Sequence, residues 1–466
     1  MKFKLRPYQI EAIHFLRKAG NKAILCLPTG SGKTVTFSHL AESAINKGSM
    51  VHVVCHRKEL IDQAYNTMKA YGLPMHRIKF GMVQTYNRSP HKIPKADLTI
   101  IDECHIGNFR RFCDQVEGET FIVGATATPL SASKKNPLND TFKNVVEPVQ
   151  IPELIEQGYL SQPTYHIAGL DLSDLELTST GEYSEASQNK AFSDLFSMDT
   201  LRRSLDQIGD NKAIIFTPSI EIAEAVYNEY TNVPGYYLAH SKMSKQERDL
   251  NINAFKHDEK GKIINCSILT AGFDDPDISH VILYRATTSE PLYLQMVGRG
   301  SRVTPVKKHF HVWDLGQNYK RFTAWHTVRD WKKKFENQGK KLKLGEAPFK
   351  TCVNCEALIS ASARTCDICL QDQPKPKPKE QQTAQGFTVI EYGQSIPDHL
   401  KKPWHQMSVK ELLERATYGS SKTGRPYKMG WVLHQIKERP HWQKDLYELA
   451  RLKNYKKGWI QRQLEK

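Results

Sequence analysis

Leu27-Pro-Thr-Gly-Ser-Gly-Lys-Thr34 follows directly on the apolar run Ala23-Ile-Leu-Cys-Leu27. A short apolar run stopped by a glycine turn reads as a buried strand of a parallel sheet. Thr34 to Ile45 continues it as a helix. Strand, glycine turn and helix N-terminus aim several backbone N–H groups at one point, which is how a chain cradles phosphate. Pro28, Thr29, Gly30, Ser31 and Gly32 form the loop. Lys33 would reach the outer phosphates, and the Thr34 hydroxyl would ligate Mg2+. The strict pattern wants a glycine six residues before the lysine, and this chain has Leu27 there.

A second apolar strand, Leu98-Thr-Ile-Ile101, ends in Asp102-Glu103-Cys-His105. In a doubly wound sheet its carboxyl end lies beside the first strand's loop. Asp102 can then hold the Mg2+ water shell, and Glu103 can orient and deprotonate an attacking water. His105 either links this site to another domain or caps the turn. Far along the chain, Gln295-Met-Val-Gly-Arg-Gly-Ser-Arg302 carries two arginines on a helix begun near Glu290. A spacing of three puts Arg299 and Arg302 on one helical face, which suits surface charge as well as a phosphate clamp.

These segments, with Ala125-Thr-Ala-Thr-Pro129, resemble the DEAD/DEAH-box DNA helicases of superfamily 2, with Asp-Glu-Cys-His as the box. The chain looks most similar to RadD-like helicases of bacteria and their phages and to phage branch-migration helicases, over about residues 1–320. The resemblance implies two tandem RecA-like domains that bind Mg-ATP between them. Leu5-Arg-Pro-Tyr-Gln9 resembles the adenine-sensing motif, with Gln9 reading the base. His56, Arg57, Gln84, Thr85, Thr217 and Thr270 match motifs that contact the nucleic-acid backbone. Thr126 and Thr128 resemble the hydroxyl pair that couples hydrolysis to domain movement. Gly272 and Asp274 belong to a loop touching both DNA and nucleotide, and Gln295, Arg299 and Arg302 to the motif that supplies arginine fingers. Gln295 stands where DEAD-box RNA helicases carry histidine, which leans toward DNA.

Apolar strand runs alternate with helical segments through residue 316, so the expected class is α/β with parallel sheets, built twice. The expected parts are residues 1–160 and 161–320 as RecA-like domains, 321–350 as a basic helical extension, 351–370 as a zinc ribbon, 371–390 as a linker and 391–466 as a basic helical module. No apolar run approaches the roughly 20 residues that cross a bilayer. Met1-Lys-Phe-Lys-Leu-Arg-Pro7 lacks a signal-peptide apolar stretch, so the expected place is the cytoplasm, nucleoid-associated, or the host cytoplasm if phage-encoded.

The net charge of +16 is unevenly spread. Residues 1–302 hold 34 basic and 34 acidic residues, so the whole surplus lies beyond them. Positive charge concentrated among aromatics is the footprint of a polyanion partner. No long amphipathic apolar face accompanies it, which favours nucleic acid over a membrane surface.

Cys26, Cys55, Cys104, Cys113 and Cys266 stand singly and read as small buried hydrophobes. Cys352-x2-Cys355 and Cys366-x2-Cys369 present four thiols at the spacing of structural Zn2+, with two disulfides as the alternative. After the Pro-Lys linker, Tyr427-Lys-Met-Gly-Trp431 is repeated as Tyr455-Lys-Lys-Gly-Trp459. Each unit reads as helix, glycine turn, helix. The tryptophans would serve as core, with Lys428 and Lys456 outward and able to grip DNA.

The reading that follows is an ATP-dependent DNA helicase. The resemblance adds forked or branched DNA as substrate, roles in DNA repair, recombination or replication, and single-strand binding or recombination proteins as partners. A duplex translocase that does not separate strands, and an inert nucleic-acid scaffold, stay open at this point.

Overall fold

The computed structural model describes residues 4–106, 109–116, 120–131, 136–168, 170–270 and 272–338. In the C-terminal third it describes 349–351, 358–360, 371, 387–390, 406–418, 429–437, 439, 442–453, 455, 460 and 463–464.

Two parallel sheets organise the main unit, which spans residues 1–170 and 176–340. The first contains β1 (Ala23–Cys26), β2 (Val51–Cys55), β3 (Ile78–Met82), β4 (Leu98–Asp102), β5 (Phe121–Thr126) and β6 (Asn144–Val146). Their order is β3-β2-β4-β5-β1-β6, all parallel. β1, β2 and β4 are buried at every position, which is why they read as continuous apolar runs without alternation. The second sheet holds β7 (Gln162–Ile167), β8 (Ala213–Phe216), β9 (Tyr236–Ala239), β10 (Lys262–Asn265), β11 (His280–Leu283) and β12 (His309–Asp314). These run in the order β7-β12-β11-β8-β10-β9, again parallel. The chain therefore carries two tandem RecA-like parallel-sheet domains. Carboxyl ends of strands, where ligands bind in such sheets, come from β1, β4 and β5 in the first and β8, β10 and β11 in the second.

The stretch expected as a basic helical extension does more than extend. Its Arg329 is almost fully buried and donates to the carbonyls of Phe322, Ala324, Trp325 and Thr327 while pairing with Glu290 at 2.7 Å. The following helix Trp331–Glu336 crosses to the first domain, where Phe335 joins the core beside Ile24, Val54 and Phe142. Gln338 closes the crossing, donating to the Pro129 carbonyl at 2.7 Å and accepting from the Ser131 N–H at 2.8 Å. The cations of Trp-Lys-Lys-Lys-Phe hide the two aromatics that make this strap.

The second unit comprises residues 171–175 and 341–466. Within it, helices Val409–Tyr418, Met429–Lys437 and Trp442–Leu452 bury Leu412, Val432, Ile436, Leu446 and Leu449 in one small core. Cys352, Cys355, Cys366 and Cys369 lie outside the described residues, as do Lys428, Lys456 and Trp459. No described helix is long and apolar enough to cross a membrane.

Candidate nucleotide site between the two sheets

The phosphate loop owes its shape to two glycines in the left-handed region, Gly30 at φ 88° and Gly32 at φ 83°. A side chain at Gly30 would also strike Leu160 at 2.9 Å. From Gly32 the helix Lys33–Ile45 starts, so Lys33 stands at its first turn with Thr34 beside it. Tyr8 donates to the Ser31 carbonyl at 2.5 Å, and Gln9 Nε2 donates to the same carbonyl at 3.1 Å. Gln9 is buried, and its amide holds the loop. Tyr8 was not singled out from sequence, although it neighbours Gln9. Arg6 lies over the Tyr159 ring at 4.1 Å, which ties this segment to the end of the first domain, just before β7.

Lys33 Nζ meets Glu103 Oε1 at 3.1 Å, with both side chains mostly buried. Asp102 ends β4, and its Oδ1 accepts from the Glu103 N–H at 3.0 Å. Glu103 itself takes φ 49°, a conformation that costs a non-glycine residue and that clusters at working sites. Burial and the Glu103 charge push the Asp102 carboxyl up to about 6, with Lys33 opposing. Burial pushes Glu103 up too, but Lys33 and His105 more than offset it, so Glu103 stays an anion. Its second oxygen, Oε2, is buried without a hydrogen-bond partner. Thr34 and Asp102, with hard oxygen donors, suit Mg2+.

His105 carries this site into the second domain. Its Nδ1 lies 2.7 Å from the Thr126 hydroxyl and 3.3 Å from Glu103 Oε2, and its Nε2 accepts from Gln295 Nε2 at 2.9 Å. Gln295 sits in helix Glu290–Val297. The Thr126 hydroxyl in turn accepts from the Thr128 N–H at 3.0 Å. Burial holds the His105 ring at about 4, hence neutral, as an imidazole that accepts at Nε2 and donates at Nδ1 must be. The ring thus bonds to groups of both domains.

The two arginines part company. The helix ends at Val297, so Arg299 and Arg302 do not share a helical face as expected. Gly298 and Gly300 weaken the helix there, and a side chain at Gly300 would strike Phe310 at 2.4 Å. Arg299 is half-buried and donates through Nη1 to the Phe273 carbonyl and through Nη2 to the Thr270 carbonyl at 2.6 Å. Burial, helped by Arg302, lowers its pKa to about 10. Arg302 instead pairs with Asp274 at 3.0 Å and reaches the Gly30 carbonyl at 3.4 Å. Gly298 approaches Thr29 so closely that a Cβ there would lie 2.9 Å from the Thr29 Cβ. This contact was missed in the sequence, where the Gly-Arg-Gly pattern was its one signal.

The residues matched to backbone-contacting motifs are more scattered. Gln84 and Thr85 are exposed, and Gln84 donates to the His56 carbonyl at 2.7 Å. The His56 ring is buried with neither nitrogen bonded. Arg57 reaches across to the Ile268 carbonyl at 3.3 Å. Thr217 and Thr270 are buried and spend their hydroxyls on the carbonyls of Ser219 and Ser267. Gly272, at φ 75°, packs on Leu60 of the first domain.

Two family models match this chain: the type III restriction enzyme res subunit over residues 2–131, and the helicase conserved C-terminal domain over residues 197–304. A 51.5 kDa protein of a Lactococcus phage (isolate 7-9) is 29% identical over 351 residues, 74% of this chain and 77% of that protein. IRC3 of Saccharomyces cerevisiae, an ATP-dependent helicase by name, is 28% identical over 67% of this chain, which spans only 51% of that protein's length. Among solved structures, a fragment named as an HsdR subunit of a type I restriction enzyme from Vibrio vulnificus YJ016 superposes with a TM-score of 0.53 at 21% identity. That match covers 68% of this chain and 65% of that one, and it speaks to the fold alone.

Proposed function

Because the chain belongs to the superfamily 2 DEAD/DEAH-like helicases, we propose that it hydrolyses ATP between its two RecA-like domains to move along and open DNA, above all forked or branched DNA. The observation that carries this reading is the run of contacts from Lys33 to Glu103 at 3.1 Å, from Glu103 Oε2 to the neutral His105 ring at 3.3 Å and from His105 to Gln295 at 2.9 Å, which brings the phosphate loop of one domain to the other. Lys33 binds the outer phosphates and Glu103 Oε2 takes the proton of the attacking water. Thr34 and Asp102 would hold Mg2+, which supplies charge neutralisation at the phosphates. Arg302 is the finger that enters from the second domain. Arg299 acts one step back, fixing the loop of Thr270 and Phe273 that faces the nucleic acid.

The basic C-terminal third supports a nucleic-acid partner, and Gln295 supports DNA over RNA. Four cysteines at knuckle spacing support one structural Zn2+ per chain at 351–370, and the repeats of 391–466 support a DNA grip. Metal stoichiometry tests the first; protein without zinc and with paired disulfides would sink it. In this reading the protein works in the cytoplasm of a bacterium, or of a phage host, beside single-strand binding or recombination proteins.

A panel of labelled single strand, duplex, fork, four-way junction and RNA duplex tests the whole reading. ATP-dependent opening of the fork or junction is expected, and Glu103→Gln should bind ATP without hydrolysing it. Nucleic-acid-stimulated turnover without opening would favour a duplex translocase. No turnover at all would favour an inert scaffold.

A further inference from the structure

The register pairs Asn265 of β10 with Phe216 of β8, and Phe216 with Leu283 of β11. Ser267, Pro218 and Arg285 each follow these partners by two residues, just past the carboxyl ends of the three strands. Phe216–Ser219 and Thr270 border the same edge, and both belong to segments already assigned to nucleic-acid contact by resemblance. Ser267 turns the chain there at φ 62°, which a non-glycine residue takes only under local strain.

Arg285 is 7% exposed. Its Nε is buried and unbonded, and among the described residues no carboxylate or carbonyl pairs with its guanidinium. The neighbouring acid Glu182 is already committed, Oε1 to the Thr288 N–H and Oε2 to the Thr287 hydroxyl, each at 2.9 Å. Burial pushes the Arg285 pKa down, and Cys266, Glu182 and Glu185 restore it only in part. An arginine nevertheless keeps its charge at neutral pH. The stem beneath it is rigid: Asn318 donates to the Arg285 carbonyl at 2.8 Å and the Ala286 N–H donates to Gln188 at 3.1 Å. The fold thus holds a desolvated cation in place without giving it an anion. Desolvation of this kind is costly unless a counter-ion arrives.

We propose that the Arg285 guanidinium clamps a phosphodiester of the bound nucleic-acid backbone at the carboxyl edge of the second sheet. The planar fork of two N–H donors matches a pair of phosphate oxygens. This rests on the nucleic-acid reading above and adds to it a contact that the motif matches do not include.

The test uses the full chain with Arg285→Met and Arg285→Lys. Fluorescence anisotropy of labelled oligodeoxythymidylate is followed over a range of KCl, together with thermal melting and the half-saturating ATP concentration. Arg285→Met should bind the oligonucleotide about tenfold more weakly or worse. Its log–log salt slope should be shallower by about 0.7. Arg285→Lys should keep most of the slope. The Met variant should melt no lower than wild type, because a guanidinium without a partner leaves nothing behind. ATP half-saturation should not move. Unchanged affinity and slope in Arg285→Met would overturn the inference, as would a fall in melting temperature, failure to fold, or weakened ATP binding with intact oligonucleotide binding. A wild-type chain that binds neither DNA nor RNA oligonucleotides would instead defeat the nucleic-acid reading itself.

Discussion

His105 and Gln295 belong to different domains and are joined by a 2.9 Å hydrogen bond from the amide nitrogen to the imidazole Nε2. The opposite side of the ring faces the Thr126 hydroxyl at 2.7 Å and Glu103 at 3.3 Å. One neutral imidazole therefore touches the candidate base, the segment leading to Thr128 and the second domain at once. Because burial holds its pKa near 4, this acceptor role persists through neutral pH.

Gln295→Leu keeps the helix and removes the donor. Nucleic-acid stimulation of ATP turnover should fall by about tenfold, the order expected of one hydrogen bond to a buried partner. ATP binding should stay as in wild type. Stopped-flow nucleotide binding beside steady-state turnover separates the two, and equal loss of both would mean that Gln295 serves the fold.

Gly298→Ala probes how closely the two domains meet. The residue has right-handed helical backbone, so alanine needs no change of conformation, although its methyl would press on the Leu294 carbonyl at 3.0 Å. That methyl would also sit 2.9 Å from the Thr29 Cβ in the phosphate loop. A cleft forced apart by a fraction of an ångström should lose about ten- to a hundredfold in turnover, since misplacement on this scale is expensive in catalysis. Melting temperature should hardly change. Wild-type turnover in this variant would show that the domains do not meet this closely during the cycle.

Much of this was legible in the sequence. The two parallel sheets, and the nearness of Glu103 to the phosphate loop, follow from strand-end motifs, because parallel sheets collect their strand ends on one edge. What escaped was set by tertiary packing. The strap ending at Gln338 reads as a solvated basic helix because lysines outnumber Trp331 and Phe335. Arg299 and Arg302 looked equivalent at a spacing of three, and the helix end at Val297 separates them. His56 and Thr217 were matched by resemblance to backbone-contacting motifs, yet both side chains are buried, and only packing could reveal that.

Phe335→Ala tests the strap. The ring fills a place in the core of the first domain, and emptying such a site costs about 3–5 kcal/mol. Chemical denaturation should show the loss in the transition that reports the first domain. An unchanged transition would mean that the strap rests on the core without belonging to it.

Glu147 gives the fold a pH signature. Burial and the nearby Asp330 push its carboxyl up to about 8 from an ordinary 4.5. The folded state thus keeps a proton that the unfolded chain releases. Its contribution to stability is fully present below about 4.5 and is lost as pH rises toward 8. Glu147→Gln mimics the protonated form, so it should flatten the fall in melting temperature over that window and melt above wild type at pH 8. Parallel profiles for the two proteins would place the ionisation elsewhere.

In the proposed cycle ATP is hydrolysed in a cleft that the second domain completes. The most direct measurement is the turnover number of Arg302→Ala at saturating ATP, with oligonucleotide affinity measured on the same preparation. A finger that stabilises transition-state charge should take about 10³-fold or more from kcat on removal, with nucleic-acid affinity intact. Normal turnover with weakened oligonucleotide binding would contradict the account and move Arg302 from the nucleotide to the nucleic-acid track.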